Sequence, residues 1–140
     1  MDLPPCVDQI AVVYQVPVEI IAAIRIVEGG RPGLVVTNRS GSQDLGPMQI
    51  NTWWIEHLDE WGIDRNDLLH NPCTNIATGA WIFRQEYDRF GNLPDAFAAY
   101  NAGAGNLAAG RQYAERAQKV LEKVWLDRSE GTIRVHMEYR

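Results

Sequence analysis

Apolar residues recur at intervals of three and four along most of the chain, the spacing that puts them on one face of an α-helix. Residues 6–15 read as a first helix. Pro17 suits the first turn of a second, which runs to about Glu28 on the stripe Ile20, Ile21, Ile24 and Val27 and is stopped by Gly29-Gly30. Residues 31–47 are rich in Gly, Ser, Asn, Arg and Pro and predict a long irregular loop. A loop of that length in a small domain is usually functional. A third helix is expected over 51–61, bearing Trp53, Trp54 and Trp61. Asn71-Pro72 opens a fourth, with Ile76, Ala80, Phe83, Tyr87 and Phe90 at spacings of 4, 3, 4 and 3, and Gly91 ends it. Residues 93–101 predict a short fifth helix and 103–110 a turn. A sixth helix over about 111–127 turns Tyr113, Ala117, Val120 and Val124 inward. The tail, 128–140, holds Thr132, Ile133, Val135 and Tyr139 and reads as a short strand or an extended segment. No sustained period-2 alternation appears elsewhere, so the class is all-α.

The 140 residues suffice for one domain, 1–140, with its core in about 6–126. Hydrophobic residues at 46% and charged residues at 22% exclude a chain disordered throughout. No run approaches the roughly 18 apolar residues of a membrane span. The net charge of -5 argues against nucleic acid as the main ligand. That charge is uneven: residues 1–110 hold 6 basic and 13 acidic residues, and 111–140 hold 7 and 5. Neither Cys6 nor Cys73 has a CxxC partner or a His at ligand spacing, so zinc and dithiol chemistry are not indicated. Two buried thiols and one disulfide both remain open. The opening Met-Asp-Leu-Pro-Pro-Cys has neither a basic nor an apolar leader region. An intracellular protein and a secreted one whose leader is absent from this chain both fit.

Three segments carry candidate chemistry. Glu28 lies four residues after Ile24 and seven after Ile21, so it continues an apolar stripe and faces the core side. It also closes its helix, where the macrodipole is negative. Both effects disfavour a carboxylate and raise its pKa, as a general acid requires. The competing reading is a glutamate at a frayed helix end, paired with Arg25 or Arg31. Gly46-Pro47-Met48-Gln49-Ile50-Asn51 offers two amides, which suit sugar hydroxyls and N-acetyl groups. Asn51 as a helix cap and Gln49 as a packing residue are compatible with that role. Ala98-Ala99-Tyr100-Asn101-Ala102-Gly103 holds Tyr100 and Asn101 at a helix end. A core tyrosine followed by an Asn cap is the plainer alternative there.

In this order, Glu-Gly-Gly, Gly-Pro-Met-Gln-Ile-Asn and Ala-Tyr-Asn-Ala-Gly, the three segments resemble the lytic transglycosylases of the soluble-lytic-transglycosylase and goose-type lysozyme superfamily. Gly29 stands where that family usually has Ser, and Pro47 where it has Leu. The resemblance spans residues 6–126 and is nearest the small enzymes of secretion, conjugation and pilus systems. Those share the segment Asn38-Arg39-Ser40-Gly41-Ser42-Gln43-Asp44-Leu45-Gly46 and a Cys in Asn71-Pro72-Cys73.

The resemblance implies a lysozyme-like fold with a long active-site loop, a Cys6–Cys73 disulfide and a periplasmic address. It implies Glu28 as the single catalytic carboxylate, cleaving the bond from N-acetylmuramic acid to N-acetylglucosamine with a 1,6-anhydro product. Asn38, Gln49, Asn51, Tyr100, Asn101 and Tyr113 become candidates for substrate contact, with a packing role equally open for Tyr113. Asp44 is read as structural. Peptidoglycan strands and components of an envelope apparatus are the implied partners, and no cofactor or metal is called for. Of the adjacent Trp53 and Trp54, one is assigned to the core and the other to a sugar platform or partner contact. Trp61, Trp81 and Trp125 read as packing residues, and His57, His70 and His136 as surface. A hydrolysing muramidase, a non-catalytic wall-binding or assembly protein and an intracellular helical interaction domain are the rivals.

Overall fold

The computed structural model describes residues 2–129 and 134–135. Among them are seven α-helices: α1 (Val7–Tyr14), α2 (Val18–Glu28), α3 (Ile55–Leu58), α4 (Arg65–His70), α5 (Pro72–Phe90), α6 (Leu93–Ala102) and α7 (Arg111–Ser129). Two small sheets accompany them. β1 (Asp2–Leu3) pairs in parallel with β5 (Arg134–Val135), and β2 (Val35–Thr37), β3 (Gln43–Leu45) and β4 (Ile50–Asn51) form an antiparallel sheet in that order.

Helix α2 is the centre of the domain. Val18, Ile20 to Ile24 and Val27 are all buried, so it is apolar nearly all round, as a helix enclosed by others must be. Helix α7 packs along α2 and α6, α6 along α5, and α1 against α5. The interior is one cluster running from Leu3 to Val124. No single described helix is long and apolar enough to cross a bilayer. Helices α1 and α2 reach that length only together, and they meet at 114°.

The long helices fall where the apolar spacing places them, because each carries a continuous stripe, and α5 is also capped at both ends. Asn71 accepts from the Thr74 backbone N–H, Pro72 occupies the first turn of α5, and Gly91 closes it at φ 74°. The middle of the chain differs from expectation. Residues 31–47 contain β2 and β3, strands of three residues each, too short to show an alternation. The expected helix over 51–61 is three pieces: a 3-10 turn Thr52–Trp54, α3, and a 3-10 turn Asp59–Trp61 closed by Gly62. Only Leu58 is buried along it, so no continuous apolar face holds one regular helix. Helix α4 was not anticipated, although Asp64 and Asp67 form a reciprocal capping box before the buried Leu68 and Leu69.

Two of the tryptophans assigned to packing are exposed, Trp61 and Trp125. Trp125 follows Val124 by about 100° around α7, which turns it away from α2 and α6. Trp81 does pack, edge-on to Trp54 at 5.7 Å. Cys6 and Cys73 form a disulfide with Cα atoms 6.0 Å apart, tying the start of α1 to the first turn of α5. Thr132, Ile133, His136 and Tyr139 lie outside the described residues.

Candidate active site

The site is built by two backbone turns locked against each other. Glu28 is the last residue of α2, and Gly29 ends the helix at φ 65°. Gly30 then lies so close to the Gly46 and Pro47 carbonyls that an added Cβ would collide with both oxygens. The chain approached by the paired glycines is thus the protein's own backbone. Arg25 joins the same turns: its Nη1 donates to the Gly30 carbonyl at 2.6 Å and to the Pro47 carbonyl at 3.1 Å. Arg25 is committed there, not to Glu28.

Asn75 fixes the second turn from α5. Its Oδ1 accepts from the Met48 backbone N–H at 2.8 Å, and its Nδ2 donates to the Leu45 and Leu68 carbonyls, each at 2.8 Å. The side chain is fully buried and its amide group serves three backbone groups that no water reaches. The turn ends on Gln49, a non-glycine residue at φ 52° whose Nε2 donates back to the Gly46 carbonyl.

Around these turns lies a groove of about 680 Å³ lined by Glu28, Asn38, Gln49, Asn51, Tyr100 and Asn101, six of the seven residues singled out in the sequence for a site. Tyr113, the seventh, stands behind Glu28 from α7. Its hydroxyl is buried without a well-aligned hydrogen bond, although it lies close enough to Glu28 to favour the carboxylate. Tyr100 stacks on Tyr113 with ring centroids 6.4 Å apart, and its hydroxyl donates to the Met48 carbonyl at 3.0 Å. Both phenols are pushed well above their usual range, first by burial and next by the neighbouring Glu28 charge, so both stay protonated. The cysteines do not line the groove.

Burial lifts the Glu28 pKa from 4.5 to about 7. Tyr113 opposes the rise, the Asp44 charge adds to it, and Arg116 of α7 opposes it. Asp44 also lines the groove. Its place is set by register: it faces Asn51 across β3 and β4, and the Asn51 Nδ2 donates to its Oδ1 at 2.9 Å. Asn51 also donates to Ser42 Oγ at 3.0 Å and accepts from the Trp53 backbone N–H at 2.9 Å. Its amide is largely occupied in holding the sheet and capping the 3-10 turn. Asn38 donates to the same Ser42. Asn101 does not cap α6; it is exposed toward the groove, and Gly103 takes the cap position.

Ser42, Trp53, Glu86 and Arg89 also line the groove. Glu86 had no signal in the sequence beyond its position four residues after Ile82, another groove residue. Among the described residues no group of three or more His, Cys, Asp or Glu is arranged to hold a metal ion.

A mostly helical domain with a carboxyl whose pKa lies near neutrality, set in a groove lined by amides and phenols, is the class that fold and site define together. The chain belongs to the family described as the transglycosylase SLT domain, which matches residues 5–122. It is 32% identical over 113 residues to "Invasion protein IagB" of Salmonella typhimurium, covering 80% of this chain and 68% of that protein. It is 32% identical over 99 residues to "Protein IpgF" of Shigella flexneri, covering 70% of this chain and 65% of that protein. A "Peptidoglycan-binding-like protein" of Escherichia coli O157:H7 is 33% identical over 129 residues, covering 85% of this chain and 77% of that one.

Proposed function

We propose that the protein is a peptidoglycan lytic transglycosylase with Glu28 as its acid and base. The carrying observation is the half-buried carboxyl in the groove, whose pKa of about 7 lets it give and regain a proton near neutrality. Protonated Glu28 gives its proton to the glycosidic oxygen as the bond to the muramoyl anomeric carbon breaks. The resulting carboxylate then takes the proton of the muramoyl C6 hydroxyl while that oxygen bonds to the anomeric carbon. The product is the 1,6-anhydro sugar, no water is consumed, and Glu28 ends protonated. This is the acid-then-base alternation of a retaining glycosidase with an internal nucleophile.

Asp44 favours this reading over a two-carboxylate hydrolase. Its carboxylate is tied into the sheet through Asn51, and its contribution is to raise the Glu28 pKa. Tyr113 and Tyr100 shape the pocket around Glu28, while Asn38, Gln49 and Asn101 offer amides to the sugars. Periplasmic action, beside an envelope-spanning apparatus, is the setting implied by the resemblance of the three motifs to the small enzymes of secretion, conjugation and pilus systems.

The test is product analysis of digested cell walls. The expected fragments end in 1,6-anhydro-muramic acid, and reducing ends would instead establish the hydrolase. Glu28→Gln is expected to lower the rate by about 10²–10⁴-fold. For the native protein, kcat/KM should fall about tenfold per pH unit above about 7, as Glu28 loses its proton. A rate unchanged into alkaline pH would exclude a general-acid role.

A further inference from the structure

A second cavity, of about 300 Å³, borders the Pro47 turn and shares no lining residue with the groove. Its walls are Pro4, Pro32, Pro47 and Pro72, with Leu3 and Ile76. Proline has no N–H, and the other two side chains are apolar, so these walls bring no side-chain donor. Arg25 is the charged residue among them.

The fold matches only part of the Arg25 guanidinium. Its Nη1 donates to the Gly30 and Pro47 carbonyls. Nε is enclosed without a partner, whereas Nη2 makes no hydrogen bond among the described residues and is not enclosed. No carboxylate among those residues pairs with this side chain. Desolvation lowers its pKa, yet a guanidinium stays protonated. A neutral amide group has two N–H donors and would serve two carbonyls as well. The two carbonyls therefore do not account for the positive charge, which is partly desolvated and has no counter-charge.

An anion in the cavity completes this arrangement. A carboxylate at Nη2 makes a charge-assisted hydrogen bond, strengthened by walls of low polarity. The same walls favour an apolar body beside the charge. The volume lies at the lower end of the range for small-ligand pockets, roughly 300–1,000 Å³, so the cavity takes a chain end and not a length of chain. A peptide C-terminus joins both features, because its carboxylate and its last side chain are attached to one Cα.

We propose that this cavity binds the C-terminal residue of a peptide, with the carboxylate on Arg25 Nη2 and an apolar side chain among the prolines. Nη1 of the same guanidinium holds the Gly30 and Pro47 carbonyls, so an occupant anchors both turns and stabilises the folded protein. The site lies apart from Glu28 and stands whether or not that residue is the acid.

The experiment titrates the full chain with N-acetyl-Ala-Leu and follows backbone amide shifts by NMR and the melting temperature. The free acid is expected to shift the amides of Leu3, Gly30 and Ile76, to leave those of Asn101 and Ala102 in the groove unmoved, and to raise the melting temperature. The C-terminal amide of the same dipeptide lacks the anion and should bind about tenfold more weakly, the effect of losing one hydrogen bond between charged groups. Acetate has the anion without the apolar body and should also bind more weakly. Equal binding of acid and amide would overturn the role given to Arg25. Equal binding of acid and acetate would overturn the peptide end and leave an adventitious ion only. Shifts confined to the groove, or none, would overturn the site itself. Pro32→Asp, at an exposed position on the rim, sets a like charge beside the entering carboxylate and should abolish binding of the acid, while Pro32→Asn should keep it. Undiminished binding by folded Pro32→Asp would count against the cavity. Should that variant fold poorly, the comparison of acid with amide on the unaltered protein decides.

Discussion

Glu28 carries opposite demands of stability and chemistry. Its folded pKa of about 7 lies above the ordinary 4.5, so the folded state binds a proton more tightly than the unfolded chain. Below about pH 4 both states are protonated and the fold bears no charge penalty there. As pH rises through 7 the folded protein must bury a carboxylate, and up to about 3 kcal/mol of stability is lost. Glu28→Gln should therefore melt higher than the native protein at pH 8–9, with the gap closing toward pH 4. Melting curves across pH check this; a constant gap would mean that the substitution acts through packing instead. Asn75 has the reverse character, since burial here is fully repaid by hydrogen bonds. Asn75→Ala strands three buried backbone groups and should cost about 3–5 kcal/mol. It should also lower activity in whatever protein remains folded, because the Met48 turn carries Gln49 and receives Tyr100. Glu28 was legible in the sequence because its position on a stripe and at a helix end can be counted. Asn75 was not, because its three partners are 7 to 30 residues away.

At the scale of elements, the groove depends on the link between β3 and β4. Gly46 adopts φ 69°, and an added Cβ would stand 2.5 Å from Asn75 Nδ2 and 2.6 Å from the Leu68 carbonyl. Gly46→Ala combines left-handed strain with that collision and should cost at least about 2 kcal/mol. Denaturant unfolding measures it, and a neutral result would show that the turn can rearrange freely. The long helices were readable because 19 residues of α5 repeat one signal several times. The sheet was not, since strands of two and three residues hold no period, and their pairing is fixed by neighbours such as Thr52, whose Oγ1 accepts from the Gln43 N–H. The broken segment from Thr52 to Trp61 follows the same logic: with Leu58 alone buried, tertiary contacts chose its geometry.

Across the whole molecule, the disulfide joins residues 67 apart. Closing a loop of that size restricts the unfolded chain, and reduction should cost about 4 kcal/mol on the chain-entropy picture. Melting with and without a reductant tests it; the reduced protein should keep the groove while unfolding at lower temperature, because Cys6 and Cys73 do not line it.

The amino-acid sequence by itself determined the helical class, the extent of the long helices and the order of three short motifs, all of which are local or periodic along the chain. It also marked Glu28, because helix position and stripe are properties of neighbours within one turn. Only the tertiary structure decided that Arg25 ties two turns together, that Asn75 serves three backbone groups, and that Asp44 is tied to Asn51. It alone placed Glu86 unpartnered in the groove and left Trp61 and Trp125 outside. These depend on burial and on contacts between distant segments, which packing settles after the helices have formed.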